Sequence, residues 1–232
     1  MILKKYWYAP LIPFVLLMLY FVVCPIEVQE TLTENDPVLI IDAGHGGADG
    51  GAVAENGTQE ADINLDIALR AELLAEFCGV ATKMTRDSVD IDYPDEADTL
   101  SKMKVADQHT RVDTINSVAG GVLLSIHQNF YPAHTPFGPQ VFYGKNEAGE
   151  AFAVCVQNNL TALLSPDNRR LAAPISEDIF LMKKASCPAV LVECGFLSNP
   201  TECSKLESED YRMQLSLVLI GSYLQYIRGY TI

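Results

Sequence analysis

The segment VLIIDAGHGGADGGA, residues 38–52, decides the fold of this chain. Its four leading apolar residues are typical of a buried strand, and the glycines that follow allow the backbone to turn tightly. A histidine, His45, stands in the middle of that turn. The question is whether this loop binds a phosphate group or serves some other chemistry.

The glycines do not match a nucleotide-binding loop. A dinucleotide fingerprint read from Gly44 has Asp49 where its third glycine belongs, and no Gly-Lys-Ser/Thr sequence of a P-loop is present. The negative charge of Asp49 would also repel a phosphate. We therefore expect the glycines to bring the backbone close to something that His45 holds.

From residue 37 onward, short apolar runs alternate with patterns of helical spacing, which indicates an α/β fold with a mostly parallel sheet. We expect a single domain, a twisted sheet of about six strands flanked by helices. Strands are predicted at 38–42, 79–86, 121–127, 139–144, 178–184 and 188–195. Helices are predicted from Glu60, with Ile63, Ile67, Leu74 and Phe77 on one face, then at 100–118, at 147–164 and from Met213 to Ile227.

The N-terminus has a different composition. Lys4 and Lys5 precede an apolar run from Tyr6 to Val23, which is long enough to span a bilayer. The next Lys or Arg is Arg70, so the positive-inside rule places the N-terminus in the cytoplasm and the remainder outside. We predict a membrane anchor or signal segment at 1–26, a polar tether at 27–36 and a catalytic domain at 37–232.

An uncleaved anchor is favoured because no small-x-small cleavage site follows the apolar run. A secreted protein would result if the segment were cleaved. A lipoprotein anchored at Cys24 is disfavoured, because Val23 stands where a small residue is expected.

Charge and cysteine content exclude two classes of function. The net charge is −14, and nucleic-acid binding would need clustered Lys and Arg, so no nucleic-acid partner is expected. The six cysteines include no C-x-x-C pair, which argues against a structural zinc site. Most are predicted to be small core residues, and the sequence leaves open one or two disulfides.

Three predicted strands lead directly to a side chain that can bind metal or transfer a proton. The first leads to His45, the third to His127 and the last to Glu193. Because ligands collect at the carboxyl ends of strands in open α/β sheets, we expect these side chains to lie together. Core formation alone would not produce this pattern.

Two histidines from different strands suggest a metal site with a third ligand. Glu60, at the start of the helix that follows the loop, could be that ligand or could stabilise the helix dipole as an exposed carboxylate. Two His and one carboxylate are a catalytic zinc set with an open position for water. Zinc lowers the pKa of that water to about 7. Glu193 would then serve as the general base.

Four segments in this order resemble the zinc-dependent N-acetylmuramoyl-L-alanine amidases, the cell-wall amidase 3 family. They are DAGHGGADGGA (42–52), QEADINLDIA (59–68), LLSIHQN (123–129) and VLVECGFLSNP (190–200), and TRVDTIN (110–116) is similar to the Arg-and-Asn helix of that family. The resemblance covers residues 37–228. The stretches FYGKNE (142–147) and IFLMKK (179–184), with the single N-terminal segment, look most like the germination-specific amidases of spore formers.

This resemblance implies one Zn²⁺ per chain, held by His45, Glu60 and His127, with Glu193 as the catalytic residue. It implies hydrolysis of the amide between N-acetylmuramic acid and L-alanine of the stem peptide, in spore cortex or cell-wall maturation. The expected partners are peptidoglycan glycan strands and stem peptides, and the membrane through the N-terminal segment. The sequence leaves open an activating partner protein. Phe130 departs from the family, which has a small residue there.

Two other functions are considered. One is a zinc hydrolase of the same fold that acts on another amide, a peptidase or a deacetylase, and the complete set of motifs argues against it. The other is a non-catalytic wall-binding domain, which would have no need for the base Glu193. A Cys–His nucleophile using Cys194 is disfavoured, because neighbouring strand residues point to opposite faces of a sheet.

Overall fold

The computed structural model of the protein describes residues 36–144 and 147–229. The predicted anchor, residues 1–26, and the tether, apart from Asp36, lie outside the described residues. Within 36–144 and 147–229, no helix combines the length and the apolar character needed to cross a membrane.

Strands and helices alternate along the described chain. The strands are β1 (Val38–Ala43), β2 (Thr82–Met84), β3 (Gly121–Asn129), β4 (Gln140–Tyr143), β5 (Ala173–Pro174) and β6 (Ala189–Phe196). The helices are α1 (Glu60–Phe77), α2 (Leu100–Asn116), α3 (Glu147–Leu164), α4 (Phe180–Lys184), α5 (Pro200–Leu206) and α6 (Glu209–Ile227).

The strands form one six-stranded sheet in the order β2-β1-β3-β6-β4-β5. All neighbouring strands are parallel except β4 and β6, which are antiparallel. The prediction of a single α/β domain with a mostly parallel sheet of about six strands is therefore confirmed. The central strands β1, β3 and β6 are buried along almost their whole length. This burial explains their continuous apolar sequences.

Helices cover both faces of the sheet. On one face, α1 and α3 both pack against α6. On the other face, Ile115 of α2 and Leu181 and Met182 of α4 pack on Ile40 and Leu123 of the sheet. Side chains alternate between the faces along a strand. Asp42, two residues after Ile40, therefore points toward the α2 and α4 side.

The predicted strand at 178–184 is wrong, because the chain there forms the short helix α4. Leu181 and Met182 are consecutive and both buried, which suits a helical turn but not a half-buried strand. The sheet position beside β4 belongs to β5, which has two residues and leaves no recognisable pattern.

Two further expectations for side chains were only partly correct. Phe77, predicted on the buried face of α1, is 90% exposed, because only Ile63 and Ile67 of the predicted face are fully packed. Cys187, Cys194 and Cys203 are buried, as predicted, whereas Cys78 is exposed. Cys78, Cys155, Cys194 and Cys203 are free thiols.

Candidate metal centre

The carboxyl ends of β1, β3 and β6 carry the predicted site. His127 of β3 and Glu193 of β6 are direct partners in the parallel register. They lie two residues beyond the pair Ser125 and Leu191. Because side chains two residues apart in a strand point to the same face, His127 and Glu193 share the sheet face that α2 and α4 cover. The pairing register of β3 and β6 shifts between His127 and Asn129, at the carboxyl end of β3.

His45 lies in the turn after β1 in an unusual backbone conformation. Its φ is 60°, in the left-handed region that is uncommon for residues other than glycine. The following Gly46 and Gly47 also have positive φ, which explains why the turn is rich in glycine. The turn closes on itself because the backbone N–H groups of Gly46 and Asp49 each donate to the other's carbonyl oxygen.

Two buried arginines hold this turn through its carbonyl groups. Arg111 of α2 donates to the carbonyl oxygens of Ala43 and His45, both at 2.6 Å, and forms an ion pair with Asp42 at 2.8 Å. Arg86, just after β2, donates to the carbonyl oxygens of Ala43 and Gly44. These charge-assisted hydrogen bonds fix the position of His45 relative to the sheet.

The Arg111–Asp42 ion pair is almost fully buried, with side-chain exposures of 4% and 1%. Burial alone would raise the pKa of Asp42, but Arg111, His127 and the hydroxyl groups of Ser125 and Thr85 together outweigh burial, and the pKa falls to about 2. Thr85 and Ser125 also donate to the Asp42 carboxylate. Both partners are therefore charged at neutral pH, and each depends on the other.

Replacing Arg111 by alanine should lower the free energy of unfolding by about 3–5 kcal/mol, because Asp42 would remain as a buried, unpaired charge. Urea denaturation measures this change. A matched control is Lys102→Ala, which removes the exposed ion pair with Asp98 and should cost less than about 1 kcal/mol. Equal effects of the two substitutions would contradict the structural role of Arg111.

Glu60 stands at the start of α1, and the protein donates to both oxygens of its carboxylate. The N–H of Ala52 donates to Oε2 at 2.9 Å, and the N–H of Gln128 donates to Oε1 at 3.0 Å. Asn64, one turn further along α1, donates to Oε1 at 3.4 Å. Glu60 is only 4% exposed, so the sequence-based alternative of an exposed carboxylate at a helix start is wrong.

His45, Glu60 and His127 come together, with one ligand atom of each lying within 4.8 Å of the others. His45 Nδ1 donates to Asp49 Oδ2 at 2.9 Å, and its Nε2 lies 3.4 Å from Glu60 Oε2. His127 Nδ1 lies 3.0 Å from Glu60 Oε1. Two imidazoles and a carboxylate at this spacing fit the donor set of a metal ion.

The electrostatics of the cluster favour positive charge between its members. Burial works against charge on His45, but hydrogen bonding to Glu60 and Asp49 outweighs it and raises the pKa of His45 to about 9. The two histidines likewise hold the pKa of Glu60 far below its usual range, despite its burial. A carboxylate that draws positive charge from both neighbours offers the same attraction to a cation.

Glu193 has a different environment from the three clustered side chains. Its Oε2 is buried and has no hydrogen-bond partner among residues 36–144 and 147–229. Burial raises the pKa of Glu193 to about 7, so this carboxyl can exist in either protonation state near neutral pH. Such a group can take a proton from one atom and deliver it to another.

The cluster opens into a cleft of about 380 Å³. His45, Glu60, His127 and Glu193 all line this cleft. Lys104 and Gln108 of α2 line the same space, together with Phe130 and Ile179. A substrate in the cleft can therefore meet the three possible metal ligands and the carboxyl group of Glu193 at the same time.

The structure shows the surroundings of four further residues. Asp49 both orients His45 and stabilises the turn, because one oxygen of its carboxylate accepts from His45 and the other accepts from the N–H of Gly51. Cys194 is fully buried and directly follows Glu193 in β6, so its side chain points to the opposite face of the sheet. A Cys–His nucleophile is therefore not formed. His109 is exposed and packs on the Phe180 ring. Asn116 bonds the backbone of Lys184 and Ser186 and is structural.

Sequence reasoning missed three residues that support the cluster. Asp42 is an ionisable residue inside an apolar strand, which is a signal that could have identified it. Arg86 follows the short strand β2, and nothing local distinguishes it from a surface arginine. Lys104 forms an ion pair with Asp49 at 2.8 Å across a gap of more than fifty residues, which no local pattern reveals.

A mostly parallel sheet with a His–Glu–His cluster at the carboxyl ends of its strands, and a buried carboxyl group with a raised pKa beside it, is typical of hydrolases that use a metal ion. Comparison with known proteins specifies the family. Residues 39–219 match the family described as N-acetylmuramoyl-L-alanine amidase, and the chain belongs to this family.

Individual relatives agree with this assignment. The germination-specific N-acetylmuramoyl-L-alanine amidase of Bacillus subtilis (strain 168) is 32% identical over 197 residues, which are 84% of this chain and 82% of the relative. The CwlD amidase from Clostridioides difficile, solved in complex with the GerS lipoprotein, has a TM-score of 0.80 at 31% identity, covering 84% of this chain and all of that one. The amidase AmiC2 of Nostoc punctiforme has a TM-score of 0.70 at 26% identity, covering 83% and 97%.

Proposed function

We propose that this protein hydrolyses the amide bond between N-acetylmuramic acid and L-alanine of peptidoglycan stem peptides, using one Zn²⁺ held by His45, Glu60 and His127. Membership in the amidase family supports the reaction. The observation that carries the proposal is the cluster of these three side chains, with Glu193 Oε2, which has no hydrogen-bond partner among the described residues, in the same cleft.

Zinc, when bound, would polarise the amide carbonyl and lower the pKa of the attacking water. The chain supplies the remaining functions. Asp49 fixes His45 with Nε2 toward the cluster, and the backbone N–H groups of Ala52 and Gln128 orient Glu60. Glu193 accepts the proton of the attacking water and delivers it to the leaving nitrogen of L-alanine.

Mass spectrometry of muropeptides tests this proposal. After incubation with purified sacculi, the full chain should release stem peptides with a new amino-terminal alanine. A chelator should stop the release, and added Zn²⁺ should restore it. Release of a different new amino terminus would favour a peptidase, and loss of acetyl groups without peptide release would favour a deacetylase.

A role in spore cortex maturation, during sporulation and germination, is a finer part of the proposal. It is supported by the similarity to the germination-specific amidase of Bacillus subtilis and to the CwlD amidase of Clostridioides difficile. Muropeptides from the cortex of a spore former that lacks its own enzyme of this kind provide the test. Expression of this chain should restore peptide-free muramic acid in that cortex, and unchanged cortex would contradict the role.

The membrane location is proposed from the sequence. Lys4 and Lys5 before the apolar run Tyr6–Val23 support an anchor with the catalytic domain outside the cytoplasm, in the cell envelope or the forespore intermembrane space. A secreted form would follow from cleavage of the segment. The protein should sediment with the membranes of protoplasts, and protease added to intact protoplasts should digest its catalytic domain. Protection of the domain from the protease would contradict this orientation.

An activating lipoprotein is proposed as a partner, because the related CwlD amidase was solved in complex with the GerS lipoprotein. Turnover of the purified chain on sacculi, with and without a lipoprotein similar to GerS, measures this dependence. Equal turnover in both conditions would show that this chain acts without such a partner.

A further inference from the structure

The segment Phe130–Gly138, here called the aromatic loop, has an unusual surface. It contains no Asp, Glu, Lys or Arg, although the chain carries 46 such residues. Four Phe and Tyr side chains are exposed within residues 36–144 and 147–229, and three of them lie in this loop, at 46–54% exposure. They are Phe130, Tyr131 and Phe137. Exposed aromatic side chains concentrated in one segment indicate a binding surface.

The aromatic loop is held to the segment 198–202 along its length. The N–H of Tyr131 donates to Ser198 Oγ at 2.9 Å, and His134 Nδ1 donates to the carbonyl oxygen of Ser198 at 2.6 Å. Asn199 donates to the carbonyl oxygen of Pro136 at 3.1 Å. These bonds hold the loop backbone in place without burying its aromatic rings, so little backbone entropy is lost when the rings bind a ligand.

The C-terminal end of the loop is held equally firmly. The N–H of Gly138 donates to the buried carboxylate of Glu202 at 2.8 Å. Gly138 has a φ of +83°, and a Cβ there would lie 2.7 Å from Cγ of Asn168. The backbone of the aromatic loop is thus fixed at both ends, which suits a preformed surface rather than a segment that orders on binding.

The loop is continuous with the cleft. Phe130 follows Asn129, the last residue of β3, and lines the cleft together with His127 and Glu193. A ligand whose reacting amide lies at the metal cluster would therefore meet Phe130 next, and a long ligand would continue past it. Peptidoglycan presents two long groups on either side of that amide, an uncharged glycan strand and a charged stem peptide.

We propose that the aromatic loop binds the glycan strand of peptidoglycan outside the cleft, and that it makes this chain selective for polymeric glycan over short fragments. This inference depends on the proposed function for the identity of the polymer. The faces of sugar rings are patches of C–H groups, and aromatic rings pack on such patches without needing a charge. A loop without charged residues matches the neutral N-acetylated sugars better than the charged stem peptide.

Binding to insoluble sacculi tests the proposal. The full chain is used in detergent micelles with Glu193→Gln, so that binding is measured without turnover. Adding Tyr131→Ala and Phe137→Ala should weaken co-sedimentation about tenfold, equivalent to about 1.4 kcal/mol. The matched control is Phe77→Ala, which removes an aromatic ring exposed at the far end of α1 from Glu60 and should leave binding unchanged.

Competition identifies the part of the polymer that is bound. Glycan strands stripped of their peptides should displace the protein with the intact loop from sacculi, whereas free stem peptides should not. Displacement by stem peptides alone, or equal binding by the loop variant and the Phe77→Ala control, would overturn the proposal. If the loop variant bound sacculi normally but no longer bound a lipoprotein similar to GerS, the loop would be a protein interface and the proposal would fail.

Turnover separates this inference from the proposed function. In the chain with intact Glu193, Tyr131→Ala with Phe137→Ala should raise KM for long glycan about tenfold, with a much smaller change in kcat. A fall in kcat with unchanged KM would overturn the loop's binding role. If the wild-type chain released no amino-terminal alanine while its loop still governed binding to glycan, the amidase proposal would fail and the loop proposal would stand.

Discussion

Replacing Glu193 by glutamine should lower kcat on peptidoglycan by about 100- to 10,000-fold while the protein remains folded and retains its metal ion. Glutamine has the shape of glutamate but cannot accept the proton of the attacking water. Glu193 is not one of the three clustered side chains that could hold the ion, so the substitution should not empty the site. Release of amino-terminal alanine and metal content, measured on the same preparation, check both parts.

The environment of Glu193 strengthens this expectation. Burial raises its pKa to about 7, and its Oε2 has no partner among the described residues, so the structure gains little stability from the charge. The Glu193→Gln protein should therefore be at least as stable as the wild type in thermal unfolding. A catalytic group held at a cost to stability is typical of an active site.

Glu150→Gln is the matched control for this substitution. Glu150 is an exposed residue of α3 that accepts a hydrogen bond from Tyr143, far along the chain from the cluster. It should retain wild-type turnover. Wild-type turnover in Glu193→Gln would refute the assignment of the base, and loss of the metal in that variant would make Glu193 a ligand instead.

The predictive power of the sequence is greatest where burial is complete. Strands β1, β3 and β6 lie in the middle of the sheet, so their apolar runs are long and the polar residues at their ends are conspicuous. His45, His127 and Glu193 were predicted as site residues for this reason. The ligand role of Glu60 was predicted only as one of two alternatives, because a carboxylate at a helix start has an ordinary explanation as well.

The sequence fails where the outcome depends on distant partners. The helix α4 and the strand β5 are short, and tertiary packing on Ile115 and pairing with β4 decide their conformations. The roles of Arg86 and Arg111 depend on carbonyl groups forty or more residues away, which no local pattern encodes. Local periodicity thus predicts the framework, whereas the contacts that hold His45 in place become visible only in the folded chain.

Replacing Gly44 by alanine should strongly weaken metal binding without unfolding the protein. A Cβ at this position would lie 2.2 Å from Cε1 and 2.3 Å from Nε2 of His127, which is too close for any pair of non-bonded atoms. The backbone of Gly44 is not among the glycines with positive φ, so alanine itself is tolerated there. The effect would come from the displaced imidazole ring alone.

Displacement of the His127 ring is energetically unfavourable because the ring makes close contacts in its present position. Its Nδ1 faces Glu60 Oε1 at 3.0 Å, and its ring packs edge-on against that of His45, with centroids 5.0 Å apart. A ring pushed away from Gly44 must disturb one of these contacts. We expect metal affinity to fall by about 100-fold or more, the upper end of what the loss of supporting contacts causes.

Competition with a chelator of known affinity measures this change, and circular dichroism establishes that the variant is folded. Gly221→Ala in α6 is the matched control, because a Cβ there meets nothing within 4 Å. It should retain wild-type affinity and should stabilise the helix by up to about 1 kcal/mol. Wild-type affinity in Gly44→Ala would mean that His127 does not hold the ion in this position, since no folded arrangement accommodates both the added methyl group and the imidazole where it now lies.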